Sequence, residues 1–188
     1  EQEAKDLKDG DLVLAQVGSA SGRYGPKMGK VLEVVGREDH PRAASLIAIH
    51  SHGIPVGFSE EAEAEAAAAK PPTLEGRDDL RDLPFVTIDP VDARDHDDAV
   101  YAHPDPDANN AGGWVVWVAI ADVAAYVRPG SALDKEAREK GNSVYFPDRV
   151  EPMLPEVLSN GLCSLREGEN RATLAVRMVF DSAGRKKS

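Results

Sequence analysis

The stretch Thr87-Ile88-Asp89-Pro90-Val91-Asp92-Ala93-Arg94-Asp95-His96-Asp97-Asp98-Ala99 decides how this chain is read. Asp89, Asp95, Asp97 and Asp98 stand close together in it, with Asp92 as a fifth carboxylate nearby. The β-branched and aromatic run Phe85-Val86-Thr87-Ile88 that leads in predicts a strand. Asp89 then sits at a strand end and the other carboxylates follow on the next loop. Two unit charges about 4 Å apart repel by about 1 kcal/mol even in water, and by more when desolvated. A folded chain that gathers such groups ordinarily gathers them around a cation. Oxygen donors with no Cys and one His among them suit Mg²⁺ or Mn²⁺ rather than Zn²⁺.

Two other readings compete. A solvated loop is the usual fate of an aspartate-rich stretch. A calcium loop of the EF-hand type starting at Asp95 would need an acidic or amide side chain at Ala99, Gly at Val100 and Glu at Pro106. The chain has none of the three, which removes that reading.

Outward from the aspartates, periodicity predicts the flanking elements. On the N-terminal side, residues 11–17 and 27–35 read as strands separated by a turn over Gly18-Ser19-Ala20-Ser21-Gly22 and Gly25-Pro26. Short strands with Gly-rich turns suggest part of a small barrel. Residues 41–52 read as a helix with Asp39 as cap, Ala43, Leu46, Ile47 and His50 on one face, and Gly53 at its end. His50 and His52, two residues apart on a helix, point to different faces and make a poor metal pair. Residues 59–69 read as an alanine-rich helix with little to bury, capped by Ser59 and stopped by Lys70-Pro71-Pro72. On the C-terminal side, β structure resumes at residues 99–101. The apolar run at 114–120 predicts a buried strand whose Trp114 and Trp117 are core residues rather than base-stacking groups. A helix is expected at 131–140, a short extended piece at 144–146 and a helical turn at 155–161. A long strand at 171–181 would turn Leu174, Val176, Met178 and Phe180 to one side.

The 188 residues suffice for one domain or two small ones, and no apolar run approaches a membrane span. The single Cys163 excludes an internal disulfide and any multi-cysteine metal site, and fits a reducing cytoplasm. The chain begins at Glu1 with no signal-peptide pattern, and it is expected to lack its native start. The net charge of −11, from 22 basic against 33 acidic residues, by itself opposes a nucleic-acid partner. Carboxylates that bind divalent cations overstate that charge, and basic surface elsewhere in a longer parent would not be counted.

At this point the residues carry a family likeness. The string at 87–99 resembles the catalytic signature of the RNB exoribonucleases, the ribonuclease II and ribonuclease R family. Val118-Ala119-Ile120-Ala121-Asp122-Val123-Ala124-Ala125-Tyr126-Val127 is similar to a second motif of that family. Gly141-Asn142-Ser143-Val144-Tyr145-Phe146-Pro147 and the run at 152–165 are similar to a third. The run at 152–165 leans toward the bacterial ribonuclease R branch. Residues 8–58 resemble the end of the cold-shock-type barrel that precedes the catalytic domain. The resemblance implies an α+β chain in three parts. Residues 1–58 would close a cold-shock-type (OB-like) domain, 59–82 would be helix and linker, and 83–188 would open a mixed α/β RNB catalytic domain.

The same resemblance implies a 3′-to-5′ exoribonuclease that hydrolyses single-stranded RNA to nucleoside 5′-monophosphates with Mg²⁺, or Mn²⁺ in its place. It needs no small-molecule cofactor and no membrane. Carried over by position, Asp89, Asp95 and Asp98 match metal-holding aspartates, and Asp97 matches the aspartate essential for cleavage. Tyr145 matches the aromatic that stacks on the RNA 3′ end. The family's catalytic domain is longer than the stretch present here. Its later parts carry a second stacking aromatic, an arginine at the scissile phosphate and a C-terminal RNA-binding barrel. The chain is therefore expected to be an incomplete, inactive fragment whose natural partner is the missing C-terminal part of the same protein. The alternative is a non-catalytic RNA-binding or scaffold protein on the same fold. Loss of one of the four aspartates would favour that alternative, and all four are present.

Overall fold

Turn chemistry and apolar spacing place the elements close to where the sequence puts them. The computed structural model describes residues 7–20 and 27–188. They form two compact units, one gathering the chain up to Gly57 with Ser143–Glu151, the other gathering Phe58–Asn142 with Pro152–Ser188.

In the first unit, β1 (Asp11–Ala20) and β2 (Lys27–Arg37) pair antiparallel with irregularities after Leu12 and Leu14. β1 runs three residues beyond the expected Val17, and the part of the expected turn at 21–26 lies outside the described residues. Helix α1 (Ala43–His52) lies on the hairpin where Gly36 leaves room. A Cβ at Gly36 would come 2.9 Å from Leu46 Cδ1. The helix ends as expected at Gly53, whose φ of 60° a side chain would strain. Two local expectations fail. Asp39 does not cap α1, because Arg37 Nε donates to it at 3.1 Å. The buried face is Ala43, Ser45 and Ile49, while Ile47 is half exposed. The short strands β5 (Val144–Tyr145) and β6 (Val150–Glu151) form a hairpin in this unit.

The second unit holds a three-stranded antiparallel sheet of order β3 (Asp98–Pro104), β4 (Trp114–Ala121), β7 (Thr173–Phe180). Its core lies among α2 (Glu60–Ala68), α3 (Ala132–Lys140), a π-helical turn at Val157–Leu162 and the end of β4. The alanines of α2 have more to do than their size suggests. Ala62 and Ala66 are fully buried against Leu133, Ala137, Leu158 and Cys163, since small side chains let α2 approach α3 closely. Each helix also completes the other's start. Glu136 of α3 accepts from Ser59 N at 3.2 Å, and Glu65 of α2 accepts from Ala132 N and Leu133 N, both at 3.1 Å. Carboxylates at these positions satisfy backbone donors that a helix leaves open and meet its positive end. Ser59 caps α2 through Ala62 N, as expected, and Ser131, expected inside the next helix, instead caps α3 through Asp134 N.

Leu158 is fully buried in this core. Its truncation, Leu158→Ala, is expected to cost about 2–5 kcal/mol, the range for large-to-small changes in packed interiors. Urea unfolding followed by far-UV circular dichroism measures it, and a loss under about 1 kcal/mol would show that this core is loosely packed.

β4 departs from the expectation of a strand buried on both faces. Val115, Ala119 and Ala121 are buried, but Trp114 and Ile120 on the opposite face are 48% and 44% exposed. Register puts Ile120 beside Leu174, and Val118 beside Val100 and Val176. Leu174 is 69% and Val176 49% exposed, so one apolar side of the sheet stays open.

Candidate active site

The carboxylate loop is positioned by backbone bonds rather than by a continuous strand. The expected strand at 85–88 reduces to one antiparallel bridge, in which Val86 N donates to Val100 O at 3.0 Å and Val100 N to Val86 O at 2.9 Å. The aspartates interrupt the pairing after it. Pro90 to Ala93 form a turn closed by Ala93 N on Pro90 O at 3.0 Å, which leaves Asp92 exposed and apart from the others. The chain returns to the sheet when Ala121 N donates to Asp97 O at 2.8 Å and Asp98 pairs with Ile120 as the first residue of β3.

Asp89, Asp95, Asp97 and Asp98 fall in the same unit, and the charges of the other three reach Asp97. The Asp97 carboxyl is raised above the usual range by partial desolvation first, then by the charges of Asp95, Asp98 and Asp89, with His96 opposing. Its side chain still reaches solvent. Asp89 moves the other way. His96 Nδ1 lies 2.9 Å from its Oδ2, and this bond, followed by one from Thr87, holds the Asp89 carboxyl below the usual range. The His96 contact was not anticipated. Seven residues separate it from Asp89, and only the turn at Pro90–Ala93 brings the two together.

Among the described residues, no three His, Cys, Asp or Glu side chains converge into a ready-made metal cage. Mg²⁺ does not require one. It keeps several waters and takes one or two protein carboxylates. An all-oxygen donor set and a carboxyl raised by its neighbours' charge fit such an ion, which would relieve the repulsion. Beside the loop lies a cleft of about 410 Å³ whose lining includes Thr87, Arg94, His96, Arg166 and Glu167. Two arginines and one glutamate are thus among its lining residues. Tyr145 belongs to the first unit, on the β5–β6 hairpin, and is 63% exposed. Cys163 is buried and its thiol is pushed up to about 11, chiefly by desolvation, so it is an inert core group.

The family profile of the RNB domain matches residues 77–188, and that of the cold shock domain matches residues 1–59. The chain belongs to the RNB family. It is 48% identical to ribonuclease R of Vibrio cholerae over 180 residues, covering 94% of this chain and 21% of that relative. The structure of Mycoplasma genitalium RNase R in complex with double-stranded RNA superposes with a TM-score of 0.89 at 34% identity, covering 99% of this chain and 33% of that one. Yeast Ssd1, described as a pseudonuclease, superposes with a TM-score of 0.65 at 18% identity over 98% of this chain and 24% of its own, which shows the shared fold alone. The chain thus spans about a fifth of the length of the curated relatives it matches.

Proposed function

We propose that this chain is the cold-shock and early catalytic portion of a cytoplasmic 3′-to-5′ exoribonuclease that hydrolyses single-stranded RNA to nucleoside 5′-monophosphates with Mg²⁺. Its parts are residues 1–58, the connection 59–82 and the catalytic portion 83–188. The observation that carries the reading is the closeness of Asp95, Asp98 and Asp89 to a partly desolvated Asp97, whose carboxyl their charges help to raise, in a chain of this family.

Hydrolysis builds negative charge on the attacking water, the phosphoryl oxygens and the leaving 3′-oxygen. Asp89, Asp95 and Asp98 would hold the ion. Mg²⁺ bound there would offset that charge and acidify water. His96 keeps Asp89 ionised and oriented, as partners behind a ligand usually do. Asp97, matched by position to the aspartate essential for cleavage, orients the water. Arg94 and Arg166 in the adjoining cleft draw the phosphate backbone past the acidic surface. Tyr145 stacks on the 3′-terminal base, a sequence-tolerant contact of about 1–3 kcal/mol. The alternative is a non-catalytic RNA-binding or scaffold protein on the same fold, because fold alone does not decide chemistry. The retained aspartates favour cleavage.

The test is full-length protein with 5′-labelled single-stranded RNA. Progressive shortening from the 3′ end is expected with Mg²⁺ or Mn²⁺, and none in EDTA. Internal cuts only, or equal activity in EDTA, would refute the proposal.

A further inference from the structure

Ser164 is the only fully buried hydroxyl side chain among the largest fully buried groups of the described residues, and its Oγ is spent on the carboxylate loop. It donates to Arg94 O at 2.7 Å and accepts from His96 N at 3.1 Å. The next residue adds a third link, Leu165 N to His96 O at 2.8 Å. These three bonds grip the backbone on both sides of Asp95. The gripping segment is itself held. Arg171 Nε donates to Ser164 O at 2.8 Å, and Cys163 N closes the π-helical turn on Leu158 O at 2.8 Å.

The loop leaves the sheet after the Val86–Val100 bridge and rejoins it only at Asp97. Ala93 is tied locally to Pro90. Between that turn and the sheet, the backbone on either side of Asp95 is bonded to a segment about seventy residues further along the chain. A hydroxyl suits the task because it gives one hydrogen and accepts another at the same atom. An alanine would remove the side-chain partner of both the Arg94 carbonyl and the His96 amide.

We infer that Ser164 is a positioning residue for cation binding, setting the backbone that presents Asp95 and, through His96, the partner of Asp89. The inference rests on the proposed metal-holding role of these aspartates. It does not make Ser164 a catalytic residue, since its hydroxyl is enclosed by protein. Groups that orient ligands commonly affect metal affinity by about 10–100-fold, so Ser164→Ala is expected to weaken Mn²⁺ binding at least about tenfold.

The experiment measures Mn²⁺ affinity by electron paramagnetic resonance on wild-type, Ser164→Ala and Ser164→Thr chains, with amide hydrogen exchange on the same samples. In Ser164→Ala, faster exchange at His96 is expected with unchanged protection at Val118 in β4, together with weakened Mn²⁺ binding. Ser164→Thr keeps the hydroxyl and is expected to restore affinity and His96 protection. Wild-type Mn²⁺ affinity in Ser164→Ala would overturn the inference. So would loss of protection throughout β4 in both variants, which would mark Ser164 as a general packing residue. If the wild-type chain itself binds no Mn²⁺, the carboxylate reading fails and this inference with it. That outcome is distinct from a wild-type chain that binds and an alanine variant that binds equally well.

Discussion

Asp97→Asn in the full-length protein is expected to lower RNA cleavage by about 10²–10³-fold or more while leaving RNA binding largely intact. Losses of this size are typical when a group that acts on developing charge is removed. The change is nearly isosteric and takes away one charge from the cluster. The metal-free protein should show a second, opposite effect. In the folded state the Asp97 carboxyl is raised by desolvation and by Asp95, Asp98 and Asp89. An acid whose folded pKa is raised binds more protons native than unfolded between the two pKa values, so stability falls as pH rises through that window. Above it the penalty is constant, and asparagine escapes it. Asp97→Asn is therefore expected to melt higher than wild type at neutral pH in EDTA, with the difference closing as the pH falls below the unfolded carboxyl value. Single-turnover assays, RNA filter binding and thermal melts measure the three quantities. A variant that keeps more than about a tenth of the wild-type rate would remove Asp97 from the centre of the mechanism.

The 188-residue chain on its own is expected to show no appreciable exonuclease turnover and only weak RNA binding. It spans about a fifth of its curated relatives, and the family resemblance places a stacking aromatic, a phosphate-binding arginine and an RNA-binding barrel beyond its motifs. Its net charge of −11 opposes phosphate approach, and electrostatic contacts supply most non-specific affinity. The open sheet side formed by Ile120, Leu174 and Val176 gives the chain a further property, a tendency to self-associate. Purified chain of verified mass, assayed with Mn²⁺ and labelled RNA beside full-length ribonuclease R of Vibrio cholerae, tests the first expectation. Analytical ultracentrifugation tests the second. Comparable turnover by the chain would show that the carboxylate unit needs none of the missing elements.

Membership of the RNB family was legible because the motif string at 87–99 and the runs at 118–127 and 152–165 are local patterns whose residue types and spacing survive without coordinates. The helix cap at Ser59 and the helix end at Gly53 were legible for the same reason. Each depends on bonds or dihedrals within a few residues. Where local rules met competing partners they failed. Arg37 takes Asp39 away from α1, and the aspartates reduce the expected strand at 85–88 to a single bridge at Val86.

Sequence by itself determined that four aspartates fall in one short stretch, where most of the strands and helices lie, and the family. Tertiary structure alone decided what touches the carboxylates. His96 meets Asp89 because the turn at Pro90–Ala93 folds one back on the other, and Ser164 grips Arg94 and His96 across a long sequence separation. It also decided that small alanines in α2 are core and that the apolar β4 has one open side, since burial depends on which element lies opposite. Hydrophobicity and periodicity describe what a segment can bury. Only packing says what it does bury, because the partner surface comes from residues far away in the chain.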